Sequence, residues 1–75
     1  MFNNAETAKR IKSYAKLKRI AMKTMLTDLE LGINLISHLA NGQNITANNL
    51  ARIADYLDCS VDYLLGRTDN PEVHR

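Results

Sequence analysis

Three polar side chains near the middle of the sequence, Asn34, Ser37 and His38, have types and spacing that suit hydrogen bonding to a partner. An amide carries donors and an acceptor, a hydroxyl can donate or accept, and an imidazole can donate from its ring. If these residues belong to a helix, Ile36 and Leu39 share one face and the three polar residues lie on others. The pattern indicates noncovalent recognition by an outward polar edge.

Covalent catalysis has little support in the sequence. The two histidines, His38 and His74, are far apart, and the single cysteine, Cys59, has no histidine near it in the chain. A nucleophilic cysteine needs such a base within reach, so Cys59 is interpreted as a small core or boundary residue. Three carboxylates fall near predicted helix ends, where acidic side chains commonly cap: Asp55, Asp58 and Asp62. With no glycine-rich phosphate loop and no set of metal ligands, we expect no enzyme, no metal or cofactor and no small-molecule substrate.

The polar edge falls within a predicted pair of short helices. The first covers residues 22–29 and the second residues 33–40. Apolar residues at helical spacing lie on one face of the first helix: Met22, Met25, Leu26 and Leu29. Only residues 30–32 connect the two, which is too short for a flexible link, so the helices must meet at a fixed, steep angle. Such a unit is the core of the DNA-binding helix-turn-helix, although any small helical domain contains corners of this kind.

Three further helices are predicted, at residues 5–18, 47–57 and 61–65. Asn3 or Asn4 can cap the first of them, Thr46 the next, and Ser60 the last, before Gly66 ends it. The buried stripe of the first helix is Ala8, Ile11 and Ala15, with Tyr14 at its margin. The strongest apolar periodicity in the chain lies in residues 47–57: Leu50, Ile53, Ala54 and Leu57.

Length and composition predict one domain with an ordinary apolar core. The chain has 75 residues, of which 45% are hydrophobic, and one cysteine, which excludes an internal disulfide. No apolar run is long enough to span a membrane, and the N-terminus lacks the residue order of a signal peptide. We therefore expect a cytoplasmic protein with one domain at residues 1–69, which contains the predicted helix pair, and a short tail at residues 70–75.

Positive charge is concentrated in the first third of the chain. Residues 1–23 contain seven Lys and Arg against one Glu, a net charge of +6, and residues 24–75 contain three Arg against seven Asp and Glu, a net of −4. A basic region on a small domain is typical of a nucleic-acid binder. The alternative is a solvated, lysine-rich helix face that binds nothing, and charge alone does not decide between them.

The five predicted helices together resemble the Cro/repressor type of helix-turn-helix, the xenobiotic-response-element (XRE) family of bacterial and phage regulators. The resemblance covers roughly residues 8–69. The segments that carry it are RIK at 10–12, IS at 36–37, Gly42, NLARIADYL at 49–57 and SVDYLLGRTD at 60–69. It implies an all-α, five-helix, lambda-repressor-like DNA-binding domain with the helix-turn-helix at its second and third helices.

The resemblance also implies how the domain docks on double-stranded DNA. In the family, the third helix lies in the major groove and the second spans the backbone. An ungapped match puts Gly32 at the start of the third helix and makes four residues base-facing: Ile33, Asn34, Ser37 and His38. Asn34 is the main candidate for direct readout, since its amide can donate and accept at adenine N6 and N7; the alternative is that Asn34 caps the helix. Ile33 could meet a thymine methyl and His38 a guanine or a phosphate, or both could simply be exposed.

Phosphate contacts are implied around that helix and along the first. The candidates are Lys9, Lys12, Arg19, the amides near Met22, Lys23, Asn41 and Gln43. Each phosphate neutralised would steepen the salt dependence of binding by about 0.9 in log–log slope.

The sequence departs from the family pattern at three places. Met22 stands where the family commonly has Gln, and Glu30 stands at a turn position usually held by Gly. A left-handed backbone at Glu30 would cost of order a kcal/mol, so Gly32 is an alternative turn residue that would shift the third helix. The third helix is also apolar for a DNA-facing helix, with no Arg or Lys.

Two functions follow from the resemblance. The first is a sequence-specific transcriptional regulator, of the small phage or mobile-element repressor type, that occupies an operator as a homodimer. A single module buries only about 600–1,000 Å² of its own surface on DNA, so family members usually dimerise to read two half-sites. The dimer contacts would come from the fifth helix and tail, at Tyr56, Val61, Tyr63 and Val73. Both tyrosines are equally suited to the core or its boundary. The second function is a protein-interaction module on the same scaffold, such as an anti-repressor.

Overall fold

The computed structural model describes residues 3–72, which form five α-helices and no strand. These are α1 (Asn4–Leu17), α2 (Met22–Asp28), α3 (Leu35–Ala40), α4 (Ala47–Leu57) and α5 (Val61–Leu64). The expected all-α, five-helix architecture is confirmed. Val73 and His74 lie outside the described residues, so the part of the dimer hypothesis that uses Val73 has no structural counterpart.

Short polar side chains start three of the helices, as their positions predict. The Asn3 carboxamide oxygen accepts from the Glu6 amide at 3.1 Å, and the Thr46 hydroxyl accepts from the Asn49 amide at 3.1 Å. The Ser60 hydroxyl does the same for the amide of Tyr63 at 3.0 Å. Each bond satisfies an amide that has no intrahelical acceptor, and such caps contribute about 1 kcal/mol.

The core is built from the apolar stripes of α1 and α4, with one or two residues from every other helix. All four residues of the predicted stripe on each of these helices are buried, including Tyr14, which is 7% exposed. The backbone of α1 packs against α3 and α5, and α4 packs against α5. The helical periodicity therefore predicted the interior correctly, because burial follows the 3.6-residue period. One buried polar residue was missed: Thr7, whose hydroxyl donates to the Asn3 carbonyl at 3.3 Å.

The start of the third helix differs from the prediction. It begins at Leu35 rather than at residue 33, because residues 32–35 form a turn in which the Leu35 amide donates to the Gly32 carbonyl at 3.0 Å. Asn34 occupies the N-cap position, with φ −91° and ψ 0°. Ile33 and Asn34 consequently lie in the turn that leads into α3 and not on the helix itself.

Cys59 is buried among apolar residues, as expected of a small core residue. Burial raises the pKa of its thiol to about 11. The reactive thiolate is therefore scarce at neutral pH, and Cys59 contributes packing. Among residues 3–72, no helix has the length and apolar character needed to cross a membrane.

Candidate nucleic-acid interface

The corner between α2 and α3 is made by a helix C-terminus that ends on a left-handed residue. The Leu31 amide donates to the Leu26 carbonyl at 2.8 Å, and the Glu30 amide donates to the Thr27 carbonyl at 3.1 Å. This pair of bonds defines the Schellman motif, with Leu29 as C-cap and Glu30 as the residue after it. Glu30 has φ +58°. The chain therefore turns at Glu30, and residues 29–34 connect α2 to α3, a longer connection than the predicted residues 30–32.

The alternative in which Gly32 carries the turn is wrong. The positive φ lies at Glu30, whereas the glycines with positive φ in the described chain are Gly42 and Gly66. The turn residue is thus Glu30, at the position where the family usually has Gly, whereas α3 begins at Leu35 and not at Gly32 as the ungapped match implied. Two other helices also end on charged left-handed residues, Arg19 with φ +59° and Asp58 with φ +55°.

We expect Glu30→Gly to raise the free energy of unfolding by about 0.5–1 kcal/mol. A left-handed L-residue costs about 1–2 kcal/mol, part of which is offset by the greater entropy of glycine in the unfolded chain. Urea denaturation monitored by circular dichroism measures the change. Glu6→Gly, in the first turn of α1, is the matched control and should destabilise the protein. A loss of stability in Glu30→Gly as large as in the control would contradict the strain at Glu30.

The polar edge ahead of and along α3 is directed outward. Asn34, Ser37 and His38 are exposed, and Ile33 is 63% exposed, whereas Ile36 and Leu39 are buried against α1 and the core. The Asn34 side chain forms no capping hydrogen bond in the described chain. Its amide donors and acceptor are therefore not used to stabilise the start of α3.

The family model of the Cro/C1-type helix-turn-helix DNA-binding domain matches residues 10–70. The chain belongs to this family. No curated protein and no solved structure gives a significant match.

A Cro/C1-type domain is a DNA-binding domain of transcription regulators, with a lambda-repressor-like fold, and the five described helices agree with that fold. The expected XRE-type resemblance is confirmed. The family description names DNA binding and no reaction. The matched segment includes every residue of α2 and α3 and of the loops on either side of them.

The residues expected to contact phosphates in this Cro/C1-type domain come from α1, α2 and the loops that follow α1 and α3. The cationic and amide side chains among them are all exposed: Lys9, Lys12, Arg19, Lys23, Asn41 and Gln43. On α1, the spacing of Lys9, Lys12 and Lys16 places them on one side of the helix, away from its buried stripe. Met22 is half-buried and begins α2, whose N-cap residue Ala21 offers no side-chain acceptor.

The loop after α3 is fixed by the start of α1. The Asn4 carboxamide donates to the Asn44 side-chain oxygen at 3.0 Å and to the Gly42 carbonyl at 3.4 Å. Gly42 has φ +94° and ends α3, since its amide donates to the Leu39 carbonyl at 3.0 Å. These bonds connect the segment that carries Asn41 and Gln43 to the start of α1 and to the end of α3.

The side chains of Arg10, Arg52 and Tyr56 make long-range contacts that the sequence did not predict. Arg10 is directed toward α5, with its guanidinium carbon 5.4 Å from the Tyr63 ring centroid and an Nη1 bond to the Tyr63 carbonyl at 3.4 Å. Arg52 and Tyr56, both on α4, bond to the end of α2. Their partners are distant in sequence, so no local pattern indicated these contacts.

Proposed function

We propose that this Cro/C1-type protein is a sequence-specific transcriptional repressor, of the phage or mobile-element type, that acts by occupying an operator. The observation that supports the proposal is the outward edge formed by Ile33, Asn34, Ser37 and His38 directly after the left-handed corner. In the helix-turn-helix docking mode, the N-terminal residues of the second helix of the motif face base edges in the major groove. These four residues are the candidates for that contact.

Each of the four offers a different contact to a base pair. The Asn34 amide can pair with adenine N6 and N7 at once, the one bidentate contact that this edge can make. Ser37 and His38 can each contribute single hydrogen bonds, and Ile33 presents an apolar surface to a thymine methyl. Readout with no Arg or Lys in α3 would depend on adenine and thymine more than on guanine.

Affinity in this proposal comes from the phosphate backbone. Lys9, Lys12, Arg19 and Lys23 supply mobile charge, and Asn41, Gln43 and the amides near Met22 supply fixed donors. Phosphate contacts position a protein on the duplex and make its binding salt-dependent, while base contacts select the sequence.

A homodimer completes the proposal. One module of this size covers a small area of DNA, and two copies related by a two-fold axis would read half-sites one helical turn apart. Tyr56 on α4 and Val61 and Tyr63 on α5, all half-buried, are the candidate dimer contacts among the described residues. The proposed location is the cytoplasm, where a phage or bacterial operator is found.

We expect Lys23→Ala to weaken binding to all duplexes alike and to reduce the log–log salt slope by about 0.9, the contribution of one phosphate contact. Fluorescence anisotropy with a fixed duplex at several salt concentrations measures the slope. Lys18→Ala is the matched control, because Lys18 is outside the proposed contact set and its ammonium lies 5.5 Å from the Tyr14 ring centroid. An unchanged slope in Lys23→Ala would remove Lys23 from the phosphate contacts.

A protein-interaction role is the second candidate, and exposed Ile33 favours it. An isoleucine that is 63% exposed beside a helix with no Arg or Lys offers an apolar contact. Binding by such a surface would tolerate salt, since it neutralises no phosphate. The salt titration therefore separates this role from operator binding.

A further inference from the structure

The carbonyl end of α2 is held from one side by α4. Arg52 donates from Nη2 to the Leu29 carbonyl oxygen at 2.5 Å, and the Tyr56 hydroxyl donates to Asp28 Oδ2 at 2.5 Å. Residues 52 and 56 are one turn apart on α4 and thus share a face. Asp28 is the last residue of α2 and Leu29 is its C-cap. Arg52 and Tyr56 therefore form hydrogen bonds to two consecutive residues, Asp28 and Leu29, at the corner between α2 and α3.

The Leu29 carbonyl needs a donor from outside its helix. The last four carbonyls of a helix have no intrahelical partner. In α2 the Schellman bonds engage the carbonyls of Leu26 and Thr27, and the Leu29 carbonyl accepts from Arg52 of α4. A guanidinium suits this position, because a cation interacts favourably with the negative end of the helix dipole and forms a strong hydrogen bond.

The hydroxyl of Tyr56 is protonated at neutral pH and can donate. Its hydrogen bond to the Asp28 carboxylate raises the pKa of the Tyr56 phenol above its ordinary value of 10.0. The folded-state pKa is raised, so this contact is present at neutral pH and is lost only as the pH rises through that value. Operator binding is measured well below that pH.

We propose that Arg52, assisted by Tyr56, is a positioning residue for DNA recognition: it fixes the end of α2 and thereby the direction in which the chain enters α3. The inference rests on the proposed role of α3 in base readout. Asn34 is five residues beyond the carbonyl that Arg52 holds. The buried face of α3 is set by its packing on α1, while its N-terminal approach is set by the corner that α4 holds. A shift of about 1 Å there would break base contacts, whose donor and acceptor atoms must stay about 2.7–3.2 Å apart.

The test compares Arg52→Gln with Arg67→Gln. The second substitution removes the same charge from a residue that follows α5 and pairs with Asp62 within it. Binding is measured by anisotropy on the selected operator and on a scrambled duplex, with protein concentration corrected for the folded fraction. We expect Arg52→Gln to weaken operator binding about 10-fold or more, as for loss of one good base contact, and to weaken scrambled-duplex binding no more than the control does. Tyr56→Phe should act in the same direction with a smaller effect.

Two results would overturn the proposal. Equal losses on both duplexes, with a salt slope reduced by about 0.9, would make Arg52 a phosphate contact. Operator binding that matches the control would show that the corner does not need Arg52.

A second measurement does not depend on DNA. Amide hydrogen exchange of Leu31, whose bond to Leu26 closes the corner, should be about 10-fold faster in Arg52→Gln while the amide of buried Ile11 keeps its rate, since local opening is independent of global unfolding. Equal acceleration at both amides would reduce Arg52 to a general stabilising residue and overturn the inference. If the wild-type protein selects no duplex, the proposed function fails, and the exchange data alone decide whether Arg52 holds the corner.

Discussion

Leu64→Ala should destabilise the fold by about 2–5 kcal/mol, the range for truncation of a fully buried leucine. Leu64 is 0% exposed and is the last residue of α5, where its side chain joins the core formed by α1 and α4. In a domain of this size, each kcal/mol lowers the melting temperature by about 4–8 °C. We therefore expect a fall of roughly 10 °C or more.

The matched control is Leu17→Ala, the same substitution in a leucine that is 73% exposed at the end of α1. It should change the free energy of unfolding by no more than about 0.5 kcal/mol. Thermal and urea denaturation monitored by circular dichroism compare the two variants. Similar stabilities for the two variants would contradict the placement of α5 against the core.

Asn34→Ala should weaken binding to the preferred operator by about 1–3 kcal/mol, the discrimination of one bidentate base contact. The variant should lose its preference at the adenine position, because the remaining contacts to phosphates do not distinguish bases. Stability should hardly change, since Asn34 is exposed and forms no capping bond in the described structure.

The readout is binding to a series of duplexes in which one base pair of each half-site is changed. Asn48→Ala, at an exposed position near the start of α4, is the matched control and should retain the wild-type preference. If Asn34→Ala and wild type ranked the duplexes in the same order with the same ratios, Asn34 would have no part in readout.

Most of the fold could be predicted from the sequence because it depends on local signals. The α4 stripe repeats at helical spacing, and all four of its residues are buried. Thr46 and Ser60 start α4 and α5, since a short side-chain oxygen is needed where the first amides lack acceptors. Such signals are contained in four to eleven consecutive residues and do not need a tertiary partner.

The start of α3 could not be placed from periodicity. Ile33 has the right spacing to belong to the helix, but the bond from the Leu35 amide to the Gly32 carbonyl makes a turn first. A single turn closed by a hydrogen bond between residues i and i+3 gives nearly the same apolar pattern in the sequence as the first turn of an α-helix. The exposure of Ile33 and Asn34 was still predicted, because both conformations direct these side chains outward here.

The hydrogen bonds from α4 to the end of α2 could not be predicted because their partners are far apart in the sequence. Arg52 lies 23 residues from Leu29, and Tyr56 lies 28 residues from Asp28. The sequence places Tyr56 at a dimer surface or at the core or its boundary; the structure leaves it half-buried, with its hydroxyl bonded to the end of α2. The sequence left the turn residue open between Glu30 and Gly32, since an L-residue rarely adopts the left-handed conformation that Glu30 has.

Selection of duplexes from a random pool with purified wild-type protein, at low and at high salt, tests most directly whether the outward edge before and along α3 reads DNA bases. We expect one enriched palindromic motif, with half-sites about one helical turn apart, an adenine at a defined position in each, and retention that falls steeply at high salt. A pool that remains random, or a retained fraction that is the same at both salt concentrations, would contradict this expectation.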